Sequence, residues 1–223
     1  MKKWAFVSDF DGTISTKDFY WIIIEKYFPE GKNLFKRWKA GEMKDIEFLT
    51  TVFSSIDQEE EQIIEEIRQI PIDPYVPEFI STIQNNGGDF YILSAGTDYY
   101  IHHILEKYNI RQVTVLSNEG YYQDKNVYMN IDSKHRHFSE RYGIDKSQVI
   151  QDLKKEYETI HFAGDSEPDS HPAVYADLTF AKGVLQNILE EKNISFIPVK
   201  EFKEVEYELK RKGFLSSVPA KDE

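Results

Sequence analysis

The 223 residues, 40% hydrophobic and 30% charged, suffice for one sizeable domain or for a core domain carrying a smaller insert. A net charge of −12 repels a phosphodiester backbone, so nucleic acid is excluded as a general partner, and any anionic substrate needs a local cation. With no cysteine, disulfides, thiolate metal sites and cysteine nucleophiles are excluded as well.

Residues 4–9 read as a short aromatic and β-branched strand that stops at Gly12. The opening Met1-Lys2-Lys3 is basic, but only four apolar residues follow before Ser8 and Asp9, too few for a signal peptide. No stretch approaches the roughly 20 apolar residues of a membrane span. A cytoplasmic protein with no membrane partner is expected. Residues 16–28 place Phe19, Tyr20, Ile23, Ile24, Tyr27 and Phe28 at helical spacing. Further helices are expected near 32–40, 43–55 and 58–69, with Glu59, Glu60 and Glu61 on a solvated face. Then "PIDPYVP", Pro71 to Pro77, breaks the helical pattern.

Beyond Pro77 strands and helices alternate: a helix at 77–86 ending at Gly87-Gly88, the strand "DFYILSAG", a helix at 97–108 and the strand "QVTVLSN". Residues 119–131 suggest a hairpin. A helix near 146–155, the strand "TIHFAG", a short helix at 170–176, the strand "DLTFA", a helix at 183–191, the strand "SFIPV" and a helix at 201–212 complete the pattern. The alternation predicts an α/β fold with a parallel, Rossmann-like sheet. Its core would comprise 1–14 and 77–215, with a small helical cap of 15–76 inserted after the first strand. The small polar stretch 216–223 is expected to fray. An apolar face of the insert would meet either the core or a twin copy, so a homodimer stays open.

Open α/β sheets bind ligands beyond the carboxyl ends of their strands. Three predicted strands end in unusual polar runs: "SDFDGT", "LSAGTD" and "AGDSEPD". Parallel pairing would gather Asp9, Asp11, Ser94, Asp165 and Asp169 at one edge. So many carboxylates raise one another's pKa unless a hard dication compensates, and an all-oxygen donor set suits Mg²⁺. Asp9, at the strand tip, is the natural nucleophile for phosphorus, and Asp11 the acid–base. Gly12 would permit a tight turn. Ser94, with the amides of Ala95 and Gly96 ahead of a helix, offers an anion cradle. Lys146 is a candidate countercharge, with Lys154 and Lys155 as competitors. The plainer readings are turn residues for Asp9 and Asp11, and helix caps for Ser94 and Asp169.

These runs together resemble the haloacid dehalogenase superfamily of phosphatases. Its four motifs are matched in order by Asp9 to Thr13, by Ser94, by Lys146 and by Gly164 to Asp169. Within it the chain is most similar to the group of phosphoserine phosphatases and methionine-salvage phosphatases. The resemblance implies an Asp9 nucleophile, an Asp11 acid–base, and Mg²⁺ held by Asp9, the main-chain carbonyl of Asp11 and Asp165. It implies supporting roles for Gly164 and Asp169, and substrate contact for Asp18. A small phosphorylated metabolite is the expected partner. A cap arginine to grip a substrate carboxylate is not evident; Arg37 and Arg68 are candidates. A phospho-accepting regulatory module and a phosphotransferase are the rival readings. Of the aromatic residues Phe19, Tyr20, Trp21, Phe35, Trp38, Phe48 and Phe53, most are expected to form the insert's own core. The "HRH" run, His135 to His137, reads as a solvated loop, and His171 as a structural residue at a helix start.

Overall fold

The computed structural model describes residues 2–216. In chain order, β1 (Lys2–Ser8) leads to four helices, α1 (Phe19–Lys26), α2 (Gly31–Lys39), α3 (Asp45–Phe53) and α4 (Glu60–Arg68). Next come α5 (Val76–Asn85), β2 (Asp89–Thr97), α6 (Asp98–Lys107), β3 (Thr114–Gln123) and β4 (Asn126–Asn130). Two short strands, β5 (Phe138–Ser139) and β6 (Gly143–Ile144), precede α7 (Lys146–Leu153) and β7 (Tyr157–Gly164). A 3₁₀ turn at Glu167–Asp169, α8 (Ser170–Ala173), β8 (Leu178–Ala181), α9 (Leu185–Glu191), β9 (Ile197–Pro198) and α10 (Phe202–Arg211) complete the described chain.

Among the described residues the main sheet has seven strands in the order β4-β3-β2-β1-β7-β8-β9. All its pairings are parallel except β3 with β4. β1 lies at the centre, and Ala5, Phe6 and Val7 are wholly buried. That is why its sequence runs apolar without alternation: helices cover both faces. Phe6 packs against Phe79, Phe90 and Phe202 on one face. On the other, Val7, Leu93 and Phe162 join Val149, Ile150, Leu185 and Leu189. The α/β architecture is the one the alternating pattern predicts.

The first apolar cluster does not stop at the sheet. It runs on into the helices between β1 and β2, taking in Phe19, Phe48, Val52, Phe53, Ile63 and Ile67. Polar bonds tie those helices to the β3–β4 hairpin. Asn126 Oδ1 accepts from the backbone N–H of Ile56 at 2.8 Å and of Asp57 at 3.1 Å, and Gln58 N–H donates to Lys125 O at 3.0 Å. Asp124 and Lys125 form the hairpin's turn with φ of 46° and 64°. A second tie joins Arg141 to Asp45 at 2.9 Å, beside a bond from Ile46 N–H to Arg141 O at 3.0 Å.

Several elements differ from the sequence expectation. β3 continues through Glu119 to Gln123, because the hairpin extends it past the last parallel partner. α8 stops at Ala173 and β9 has only two residues. His137 is not a solvated loop residue: it is largely buried and hydrogen-bonds Asp152 at 2.7 Å, where Arg136 and Lys155 also pair. The expected frayed tail falls outside the described residues from 217 on, and Ser216 donates its N–H to Asn86 Oδ1 at 2.9 Å. Among the described residues, no helix is long and apolar enough to cross a membrane.

Candidate active site

β2, β1 and β7 are neighbours running the same way, so their carboxyl ends share one edge. Asp9 leaves β1 with its N–H bonded to Ala163 O of β7 at 2.9 Å, which fixes the strand tip. Lys146 opens α7 and is buried, as are Asp9 and Asp169. Its Nζ donates to Asp9 Oδ1 at 2.6 Å and to Asp169 Oδ1 at 2.7 Å. The other Asp169 oxygen accepts from the N–H groups of Asp165 at 3.0 Å and Ser166 at 3.2 Å. Asp169 therefore holds the lysine on one side and the loop after β7 on the other. The rival lysines point elsewhere: Lys154 pairs with Asp177 and Lys155 with Asp152.

Thr13 ties the two acidic strand ends together. Its hydroxyl lies 3.0 Å from Asp165 Oδ1 and 3.3 Å from Asp9 Oδ2. Gly12 has φ of +80°, and a side chain there would collide with the Asp165 carboxyl. Gly12 is thus demanded twice, by backbone conformation and by the approach of Asp165. Gly164 is similar in kind, since a Cβ would meet the Asp169 carboxyl. Lys182, just past β8, donates to Thr13 O at 2.9 Å and supports the turn from below.

Asp11 faces the same space but keeps different company. The Tyr100 hydroxyl donates to its Oδ2. Ser94 Oγ accepts from Gly96 N–H at 3.0 Å, and the Ala95 carbonyl takes a bond from Asn118 at 2.9 Å. Asp18 and Tyr20 line the same cavity. All the residues singled out from sequence lie at this edge: Asp9, Asp11, Asp18, Ser94, Ala95, Gly96, Lys146 and Asp165 line one cavity of about 240 Å³, with Gly164 and Asp169 directly behind it.

Its other wall comes from the helices between β1 and β2, through Phe19, Tyr20, Trp38, Lys39, Asp45, Leu49 and Phe53. Trp21, Phe35 and Phe48 instead pack among themselves and their neighbours as that unit's core. Neither candidate arginine reaches the cavity: Arg37 pairs with Glu42 and Arg68 with Glu106. His171 lies beside it, bonded to Glu167 and Tyr142.

The electrostatics follow from burial. Burial, then the charge of Asp169, lifts Asp9 to about 6 against the pull of Lys146. Burial, then Asp9 and Asp169, lifts Asp165 to about 9. Asp11 is pushed well up by burial and by Asp18. Lys146 is held above its ordinary value, because Asp169 and Asp9 outweigh the burial that alone would lower it. One lysine cannot balance this many acids. Single carboxylate oxygens of Asp9, Asp165 and Asp169 lie within 4.8 Å of one another. An all-oxygen donor set with excess negative charge fits a hard divalent cation.

A model of haloacid dehalogenase-like hydrolases matches residues 6–171, the stretch that contains the acidic ends of β1 and β7, the end of β2 and Lys146. The chain belongs to that family. It is a phosphatase of the family, a phosphoric monoester hydrolase. It is 31% identical over 211 residues to the 2-hydroxy-3-keto-5-methylthiopentenyl-1-phosphate phosphatase of Bacillus thuringiensis subsp. konkukian, covering 91% of this chain and 94% of that one. The Bacillus cereus enzyme of the same name is 30% identical over the same shares. Among solved structures, a substrate-bound phosphoserine phosphatase superposes with a TM-score of 0.70 at 20% identity, covering 93% of this chain and 98% of that one. A phosphoserine phosphatase with a phospho-aspartyl intermediate analogue gives 0.69 at 20% identity, covering 93% and 99%. At that identity the likeness is one of fold.

Sequence reasoning missed three members of the site: Tyr100, Thr13 as a bridge, and Lys182. Tyr100 stood in plain view six residues after Ser94, in "SAGTDYY", but its aim depends on the pitch at which α6 leaves β2.

Proposed function

We propose that the chain is a Mg²⁺-dependent phosphatase of a small metabolite, working through a phospho-enzyme on Asp9. The single observation behind this is the buried Lys146 bridging Asp9 and Asp169, beside Asp165, at the floor of a cavity. Lys146 holds Asp9 Oδ1 and the Thr13 hydroxyl lies against Oδ2, and the two together would aim the carboxylate at the substrate phosphorus. The hydroxyl of Ser94 and the amide of Ala95 suit the non-bridging phosphoryl oxygens, and the Gly96 N–H holds the Ser94 hydroxyl oxygen at 3.0 Å. Asp9 attacks phosphorus as the P–O bond to the leaving group breaks. Asp11, kept protonated by burial, gives its proton to the departing oxygen. Asp11 then takes a proton from water, the resulting hydroxide attacks phosphorus, and phosphate leaves Asp9. Mg²⁺, which Asp9, Asp165 and the Asp11 carbonyl would hold, supplies the positive charge that offsets the clustered acids and the phosphoryl oxygens.

The substrate class that fits best is that of the Bacillus relatives, 2-hydroxy-3-keto-5-methylthiopentenyl-1-phosphate. Aromatic rings of Phe19, Tyr20, Trp38 and Phe53 form an apolar wall that suits a thioether tail. Among the described residues, no arginine lines the cavity to pair with the carboxylate of phosphoserine. The test is phosphate release from a panel of phosphomonoesters with and without Mg²⁺. The methylthio enol-phosphate should rank above phosphoserine, turnover should vanish in chelator, and Asp9→Asn should lose at least about a thousandfold in kcat. Near-normal turnover by Asp9→Asn would sink the nucleophile assignment.

A further inference from the structure

Tyr100 is a tyrosine placed where a plain ring would satisfy the packing. Its ring is fully buried among Phe10, Phe19 and Phe53, at centroid distances of 6.0, 5.1 and 6.3 Å. The hydroxyl is a polar group taken into that apolar setting, a cost unless it is bonded. It is bonded to Asp11 Oδ2. A Cβ on residue 96 would overlap the phenol oxygen and also approach Asp11 Oδ2, so Gly96 leaves the space the hydroxyl fills.

We infer that Tyr100 is the positioning residue of Asp11: its hydroxyl bonds Oδ2, which fixes the rotation of the carboxyl and leaves Oδ1 as the oxygen that meets the leaving group. This rests on the acid–base role proposed above for Asp11. When the P–O bond breaks, its electron pair goes to the leaving oxygen, which takes the proton from Asp11. The new carboxylate keeps the phenol's bond on Oδ2. The hydroxyl itself gains and loses no proton. Without it, the carboxyl can turn, and the acid is misplaced at the moment of leaving-group departure.

A misplaced acid has a signature that a structural defect lacks. Departure of a basic alkoxide needs the proton, whereas departure of p-nitrophenolate hardly does. The experiment measures kcat/KM of wild type, Tyr100→Phe and Asp11→Asn on an alkyl phosphomonoester and on p-nitrophenyl phosphate. Tyr100→Phe should lose about ten- to a hundredfold on the alkyl ester and stay within about threefold on the aryl ester. Asp11→Asn should show the same selectivity more strongly. The two substrates are read in one preparation, so partial unfolding lowers both alike and cancels from their ratio. An equal loss on both esters, or no loss on either, with Asp11→Asn selective, overturns the role of Tyr100 alone. Asp11→Asn without selectivity overturns the acid–base reading beneath it.

Discussion

The two walls of the cavity are built on opposite principles. On the sheet edge each acidic group is spoken for: Asp169 by Lys146 and two amides, Asp165 by Thr13, Asp9 by Lys146 and Thr13. On the wall from α1, α2 and α3, rings stack with loose polar decoration, such as Trp38 on Phe48 at 4.4 Å and Lys39 over Trp38 at 3.9 Å. The first arrangement holds charges within fractions of an ångström, as phosphoryl transfer demands. The second supplies area and shape, which grade substrates by a few kcal/mol at most. On the proposed function, chemistry would belong to the sheet edge and selectivity to the apolar wall, which the Asn126 and Arg141 bonds tie to the rest of the fold.

The largest blow to this division would be Lys146→Met. It removes one buried cation and strands two buried carboxylates, so it should cost about 3–5 kcal/mol in denaturant unfolding as well as turnover. A stable but inactive variant would mean the lysine serves chemistry alone, and the edge is less strictly balanced than the geometry implies.

A smaller effect separates two buried basic side chains of the core. Lys146 stays charged because acids surround it. His161 on β7 packs between Trp4 and Phe214, and neither ring nitrogen has a hydrogen-bond partner among the described residues. Burial holds its pKa down to about 4 against the ordinary value of 6.5. Between those values the unfolded chain binds a proton that the folded chain refuses, so the contribution is intact above pH 6.5 and lost as pH falls toward 4. His161→Phe should flatten that part of the stability curve, by roughly 2–3 kcal/mol between the two ends. Because the acidic cluster titrates in both proteins, the difference between wild-type and variant melting curves isolates His161. Parallel curves would show that its ring is not kept neutral.

The smallest effect belongs to the apolar wall. Trp38→Ala should leave kcat for p-nitrophenyl phosphate within about twofold and raise KM for the methylthio substrate about tenfold, or 1.4 kcal/mol. A loss in kcat alone would move Trp38 from the selecting wall to the reacting one.

How much of this was legible beforehand differs between the walls too. "SDFDGTIS" and "AGDSEPD" announce acids at strand tips, and no short apolar strand could carry them without a shared edge. Residue pattern alone left Lys146 as one of three nearby lysines and the family resemblance chose it; the packing of α7 against β7 then sets it apart from Lys154 and Lys155, whose ammonium groups pair on the surface. In the insert, helical spacing marked most of the rings as core without saying which were the exceptions. Which of them turned to the cavity depended on how α1, α2 and α3 rest on the sheet, which periodicity does not encode.

The sequence by itself determined the alternation of strands and helices, the helical block after the first strand, and the acidic strand ends. These are local matters of side-chain period, of turn residues and of charges too costly to bury singly. Only the tertiary structure decided that the Tyr100 hydroxyl meets Asp11, that Thr13 bridges Asp9 and Asp165, and that His161 is buried with no hydrogen-bond partner among the described residues. Each depends on distances between segments set by helix pitch and sheet twist, quantities to which every residue of the core contributes and which no single stretch of the chain contains.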